Sequence, residues 1–207
     1  MTHQKRLNVA VFASGSGSNF QSIVDQMQAG KLPINMKLLI CDRPQAQVVD
    51  RARSANVPVF LFRPQEYASR EAYEQVILKK LHEHEVELVV LAGYMRLLTH
   101  VLVDGYAGRI INIHPSLLPA FPGLDGIGQA LEYGVKVTGV TVHFVDGGLD
   151  SGPVIAQQPV VVSADDDAAR LATRIHKAEH ELYPKVIRWI AEGRVTMTGR
   201  HVQIERE

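Results

Sequence analysis

Apolar runs rich in Val, Ile and Leu recur through the first half of the chain, each followed by an amphipathic stretch, and this alternation narrows the fold more than any other feature. Such runs are strands buried on both faces, and the segments between them are helices that cover a parallel sheet. Strands are expected at residues 7–13, 36–41, 57–62, 86–92 and 109–113, with helices at 19–28, 47–55, 69–84 and 96–103. A βαβ series of this kind implies an α/β protein with a Rossmann-like, doubly wound, mostly parallel sheet and right-handed crossovers.

After His114 the pattern changes. Pro115, Pro119, Pro122, Gly123, Gly126 and Gly128 crowd one stretch, so a long loop is expected up to about Gln129. Residues 137–145 and 154–162 read as extended on either side of a turn-rich loop at 146–152, which makes the C-terminal half more antiparallel. A helix is expected over 164–192, capped by Ser163, with Asp165 to Asp167 at its positive end and a kink or break at Pro184. The tail at 195–204 reads as a small hairpin around Gly199.

The 207 residues carry 22 Lys plus Arg against 22 Asp plus Glu, so the chain has no net charge, and it has one cysteine, Cys41. A chain of this length buries roughly 70% of its unfolded surface and needs no disulfide or structural metal to hold a core. The charge balance removes the broad basic surface on which generic nucleic-acid binding depends. A lone cysteine fits a reducing compartment, and Cys41 is expected to be a small buried apolar residue. The run at 7–13 follows Lys5 and Arg6 as a secretory segment would, but it is short and contains Asn8. No other stretch approaches the ~20 apolar residues of a membrane span. The expectation is a cytoplasmic protein with one catalytic domain over 1–207.

Three places carry chemistry. Ser14-Gly15-Ser16-Gly17-Ser18-Asn19 lies between a strand and a helix, where small residues let backbone N–H groups approach an anion. Phe20 occupies the third glycine position of the dinucleotide fingerprint, and no Walker lysine follows. Two readings stand: a tight turn with an Asn or Ser helix cap, and a phosphate-monoester site. Asn112 and His114 lie two apart at the end of a strand and project to one face, which suggests a hydrogen-bond donor and a proton-transfer group. The plainer reading is a histidine satisfied by a backbone carbonyl. Asp150, in Asp146-Gly147-Gly148-Leu149-Asp150-Ser151-Gly152, is either a solvated turn residue or a partner for a histidine elsewhere.

With these residues in place, the chain resembles the folate-dependent phosphoribosylglycinamide formyltransferases. The resemblance rests on GSGSN, AGYMRLL at 92–98, NIHPSLLPAFPG at 112–123, VTVHFVDGGLDSGPVIAQ at 140–157 and EHELYP at 179–184, and covers nearly the whole chain in order. It implies the formyltransferase fold and transfer of a formyl group from 10-formyltetrahydrofolate, as co-substrate and without a metal, to the amine of glycinamide ribonucleotide. By resemblance, Gly17, Ser18 and Asn19 hold the phosphate of the acceptor, and Glu179 contacts the same substrate. Arg70, Met95, Arg96, Leu97 and Leu98 lie against the folate, with Asn112 at its formyl end. His114 is the catalytic acid, whose pKa Asp150 raises. Many relatives carry a histidine in the stretch that here reads Leu124-Asp125-Gly126-Ile127-Gly128-Gln129, so no role is carried onto it.

Other classes are weighed on their own features. His176-Lys177-Ala178-Glu179-His180 matches a zinc-peptidase pattern but lacks an identified third ligand. A nucleotide-binding regulatory module is a non-enzymatic alternative, with no evident need for Asn112, His114 and Asp150 together. Formyltetrahydrofolate hydrolases usually add an N-terminal regulatory domain, and methionyl-tRNA formyltransferases a C-terminal tRNA-binding domain; neither addition is expected here. Small-molecule substrates, no nucleic acid, no membrane and a monomeric or homodimeric state complete the expectation.

Overall fold

Residues 5–205 are described by the computed structural model, and the chain divides into two compact units, Met1–Ile111 and Asn112–Glu207. In the first unit, strands β1 (Leu7–Phe12), β2 (Ile34–Cys41), β3 (Val59–Leu61) and β4 (Leu88–Leu91) alternate with helices α1 (Ser18–Gln28), α2 (Gln47–Ser54) and α3 (Arg70–Glu83). Helix α4 (His100–Gly105) follows β4. Strand β1 pairs in parallel with both β2 and β4, and β2 pairs in parallel with β3. The apolar runs become strands because both of their faces are covered: Val9, Val11, Phe12, Leu39, Ile40 and Val90 are fully buried. Cys41 is buried among them as a free thiol.

Strand β5 (Ile110–His114) carries the chain into the second unit. There α5 (Gly126–Tyr133), β6 (Val137–Phe144), β7 (Val154–Val161), α6 (Ala168–Ala191), β8 (Val195–Thr198) and β9 (His201–Ile204) follow. β6 and β7 are antiparallel, and β8 and β9 form a separate two-stranded hairpin about Gly199. Strand order in the seven-stranded sheet is β3-β2-β1-β4-β5-β6-β7, a mostly parallel sheet with an antiparallel C-terminal edge.

Three helix starts, those of α4, α5 and α6, lie three or four residues from expectation because of where the capping side chains sit. The segment 96–103 is helical only from His100, because Thr99 is the N-cap and the buried Glu74 carboxylate accepts both its N–H and its hydroxyl. The proline- and glycine-rich stretch turns helical at Gly126 rather than Gln129. Asp125, in the left-handed region at φ 57°, accepts the Gly128 N–H as a cap, and such a cap offsets the ~1 kcal/mol that a helical glycine costs. Helix α6 starts at Ala168 with Asp167, not Ser163, as its cap, and it continues through the buried Pro184 without a break.

Candidate active site

Within the first unit, the chain turns to opposite sides of the sheet around β1 and β4, and open α/β sheets bind ligands at the carboxyl ends of strands at such a switch point. The loop after β1 bends at Gly17, whose φ is +72°, and a Cβ there would lie 2.5 Å from the Val48 side chain. Glycine is therefore required by conformation and by space. Gly15 has neither constraint, since nothing lies within 4 Å of its would-be Cβ. The loop is held against α2 by Arg51 Nε, which donates to the Ser16 carbonyl at 2.8 Å, and by the Val48 N–H, which donates to the Gly15 carbonyl at 3.2 Å.

Of the two readings of this loop, the side-chain cap is not what forms. Gly17 itself is the N-cap of α1, no side chain caps it, and no acidic residue lies in the first turn. The other reading needs only what any helix start offers, backbone N–H groups at the positive end of its dipole.

The loop after β4 presents Met95 and Leu97 to solvent at 60% and 55% exposure, an unusual outlay of apolar surface for a short connection. Arg96 between them points inward: its Nε donates to Asp42 Oδ2 at 2.6 Å. Burial disfavours the Arg96 charge, and the Asp42 carboxylate overrides it and raises the guanidinium pKa. The other Asp42 oxygen accepts the Ser14 hydroxyl at 2.6 Å, and Ser14 Oγ in turn accepts the Met95 N–H at 3.1 Å. Leu98 is half-buried before the Thr99 cap, and Arg70 is the exposed first residue of α3.

In the second unit, Asn112 and His114 project from β5 as the alternation requires, and Asp150 is brought to His114. Asp150 Oδ2 lies 3.5 Å from His114 Nδ1 and accepts the Gly123 N–H at 2.7 Å. Burial pushes the Asp150 carboxyl up, but His143, the Gly123 N–H and His114 together hold it below the ordinary carboxylate value. Asp150 sits at φ 48°, in the left-handed region that few non-glycine residues adopt. Its loop is stitched by Asp146 Oδ1, which accepts the Gly148 N–H at 3.0 Å and the Ser151 hydroxyl at 2.7 Å. From the β8–β9 turn, Arg200 donates to the Ser151 carbonyl at 2.9 Å.

The plainer reading of His114 is what the geometry shows: a backbone carbonyl satisfies one ring nitrogen. Its Nε2 is 2.8 Å from the Phe121 carbonyl, which only accepts, so that nitrogen carries a proton and Nδ1 faces Asp150.

His143, on β6, is a residue that the sequence reading passed over. It is 2% exposed, its Nδ1 donates to the Phe144 carbonyl at 2.7 Å, and its Nε2 lies 3.3 Å from Asn112 Nδ2 and 3.7 Å from Asp150 Oδ1. With Nδ1 committed, Nε2 of His143 offers a lone pair when the ring is neutral and an N–H to Asp150 when it is charged. In the neutral form Asn112 turns its NH2 toward it, which leaves the second N–H of that amide for a ligand. The available signal was a histidine two residues beyond Thr141 in a strand whose other polar side chain is Thr138, all three buried.

Glu179 is buried on α6, one turn before Tyr183, whose hydroxyl is pushed well up by burial and then by the Glu179 charge. In the same helix, burial lowers the His180 pKa. Among the described residues, no group of three or more His, Cys, Asp or Glu is placed to hold a metal ion. Among them, too, no helix is long and apolar enough to cross a membrane.

Residues 7–187 match the model of the formyl transferase family. The chain belongs to that family. Among curated relatives, this formyl transferase is 52% identical over 179 residues to the phosphoribosylglycinamide formyltransferase of Bacillus subtilis, covering 86% of this chain and 92% of the relative. It is 41% identical to the enzyme of the same name from Escherichia coli, covering 92% and 90%. Among solved structures, glycinamide ribonucleotide transformylase 1 from Symbiobacterium toebii superposes with a TM-score of 0.95 at 46% identity, over 97% of this chain and 94% of that one. A formyltetrahydrofolate deformylase from Pseudomonas syringae superposes with a TM-score of 0.89 at 26% identity, over 96% of this chain and 66% of that one.

Proposed function

We propose that this formyl transferase moves the formyl group of 10-formyltetrahydrofolate to the amine of glycinamide ribonucleotide, giving formylglycinamide ribonucleotide and tetrahydrofolate in de novo purine synthesis. The observation that carries the reading is the His114–Asp150 pair at 3.5 Å with the Asn112 amide beside it on β5. The amine attacks the formyl carbon and its carbonyl oxygen becomes an oxyanion. Asn112 donates the N–H not used on His143 to that oxygen, and protonated His114, whose own N–H groups face the Phe121 carbonyl and Asp150, stabilises it by its nearby positive charge. The bond from the formyl carbon to the folate nitrogen then breaks, and the proton lost by the amine goes to that nitrogen, with Asp150 ordering the water that relays it. The Asp150 carboxylate stabilises positive charge on the His114 ring throughout.

In this reading Gly17, Ser18 and Asn19 hold the ribonucleotide phosphate at the start of α1, and Glu179 contacts the same substrate. Arg70, Met95, Arg96, Leu97 and Leu98 hold the folate, the exposed Met95 and Leu97 supplying apolar surface for its ring system. The acceptor assignment is supported by the uncapped helix start and by likeness to relatives that carry this activity in their names. The match over 7–187 spans both units and supports one catalytic domain over 1–207, and the buried free Cys41 supports a cytoplasmic location.

An acceptor panel tests it. Purified protein with 10-formyltetrahydrofolate is offered glycinamide ribonucleotide, water alone or methionyl-tRNA, and deformylation is followed spectroscopically. Turnover that requires glycinamide ribonucleotide is expected. Equal turnover in water alone would make the chain a deformylase, as the Pseudomonas syringae likeness is named.

A further inference from the structure

The mechanism above leaves Ser14 and Asp42 unused, although both are buried, at 1% and 5% exposure, between the two loops at the switch point. We propose that Asp42, acting through Ser14 and Arg96, is a positioning residue that couples the phosphate-binding loop to the folate-binding loop, so that the two substrates bind cooperatively. This rests on the loop assignments under Proposed function.

The geometry is a closed hydrogen-bond circuit. Asp42 stands just past the end of β2, and its two oxygens are divided between the loops: Oδ1 accepts the Ser14 hydroxyl at 2.6 Å, Oδ2 accepts Arg96 Nε at 2.6 Å. Ser14 closes the circuit twice, taking the Met95 N–H on its oxygen at 3.1 Å and giving its own N–H to the Gly93 carbonyl at 3.0 Å. Ser14 begins the segment that ends at Gly17–Asn19, and Met95 and Arg96 belong to the segment assigned to the folate. Neither loop can shift without stretching short, charge-assisted bonds in a buried setting, where such bonds are strongest. A ligand that orders one loop therefore orders the other, and the second ligand meets a loop whose ordering entropy is already spent.

Asp42 suits this role for a chemical reason. A carboxylate has two acceptor oxygens and can serve a hydroxyl and a guanidinium together, whereas an amide has one. Asp42→Asn keeps the shape but removes the negative charge from both links, leaving one oxygen for Arg96 and only a neutral, reversed N–H contact to Ser14 Oγ. Ser14→Ala removes the link from the other side and leaves the Asp42–Arg96 pair in place.

The experiment is calorimetric and needs no turnover. The full chain is titrated with tetrahydrofolate, the non-reacting product, in the absence and presence of saturating glycinamide ribonucleotide, for the wild type, Ser14→Ala and Asp42→Asn. The wild type is expected to bind tetrahydrofolate about tenfold more tightly when glycinamide ribonucleotide is bound, within the usual range for coupled sites. In both variants that ratio falls to about one, while each ligand alone binds within about threefold of wild type. A merely structural role would weaken each ligand alone and leave the ratio unchanged, and that outcome overturns the proposal. So does a wild-type ratio of one. Failure of either ligand to bind the wild type alone overturns the functional reading itself, and this inference with it, so the two failures are told apart.

Discussion

Asp150 Oδ2 lies 3.5 Å from His114 Nδ1, and the same oxygen accepts the Gly123 N–H at 2.7 Å. One carboxylate oxygen thus ties the strand-end histidine to the loop at 121–124. Asp150→Asn removes the charge but keeps the fold, because asparagine tolerates the left-handed backbone at φ 48°. Turnover is expected to fall about a hundredfold or more, the usual scale for losing proton-transfer assistance. Asp150→Ala loses the same activity and also about 1 kcal/mol of stability through backbone strain. Steady-state kinetics and melting curves on both variants check this, and near-wild-type turnover in Asp150→Asn would sink the assigned role.

The pH dependence of stability follows from the same carboxylate. An unfolded aspartate titrates at about 3.9, and in the fold the pull of its neighbours outweighs burial and holds Asp150 lower. A group whose folded pKa is depressed contributes stability that is fully present above the unfolded value and lost as pH falls through the folded one. The melting-temperature advantage of wild type over Asp150→Asn is therefore expected to narrow as pH is taken from about 6 to about 3. Scanning fluorimetry across that range reads it directly, and an advantage that stays constant contradicts the assignment.

The two glycines of the first loop make opposite demands. Gly17→Ala puts a Cβ into Val48 at a positive φ and costs about 1 kcal/mol or more, while Gly15→Ala meets open space. KM for glycinamide ribonucleotide is expected to rise much more than KM for the folate in Gly17→Ala, with both unchanged in Gly15→Ala. Equal rises of both constants would argue against phosphate binding at this turn.

His143 acts through Asn112, so the two form a cycle that is not additive. His143→Ala is expected to lower kcat about tenfold with KM for glycinamide ribonucleotide nearly unchanged, and to add little once Asn112→Ala is present. Losses that multiply in the double variant would show His143 working independently of the amide.

Much of this was legible in the residues, for identifiable reasons. β1, β2 and β4 announced themselves because strands buried on both faces need unbroken apolar runs. Asn112 and His114 were legible because a strand end fixes which side chains share a face. The start of α4 was not, because it depends on Glu74, 25 residues away from Thr99. Asp42 and His143 were silent for the same kind of reason. Nothing in Cys41-Asp42-Arg43 reveals that both oxygens of a carboxylate will be taken by residues 28 and 54 positions distant. Buried polar networks are specified by tertiary neighbours and leave no period in the chain.

The bond from Arg200 to the Ser151 carbonyl has a practical side. The β8–β9 hairpin lies outside the residues that match the family model, yet its turn holds the peptide next to Asp150. An affinity handle fused after this hairpin is expected to disturb the Ser151 peptide beside Asp150, and comparing kcat of tagged and untagged protein checks this.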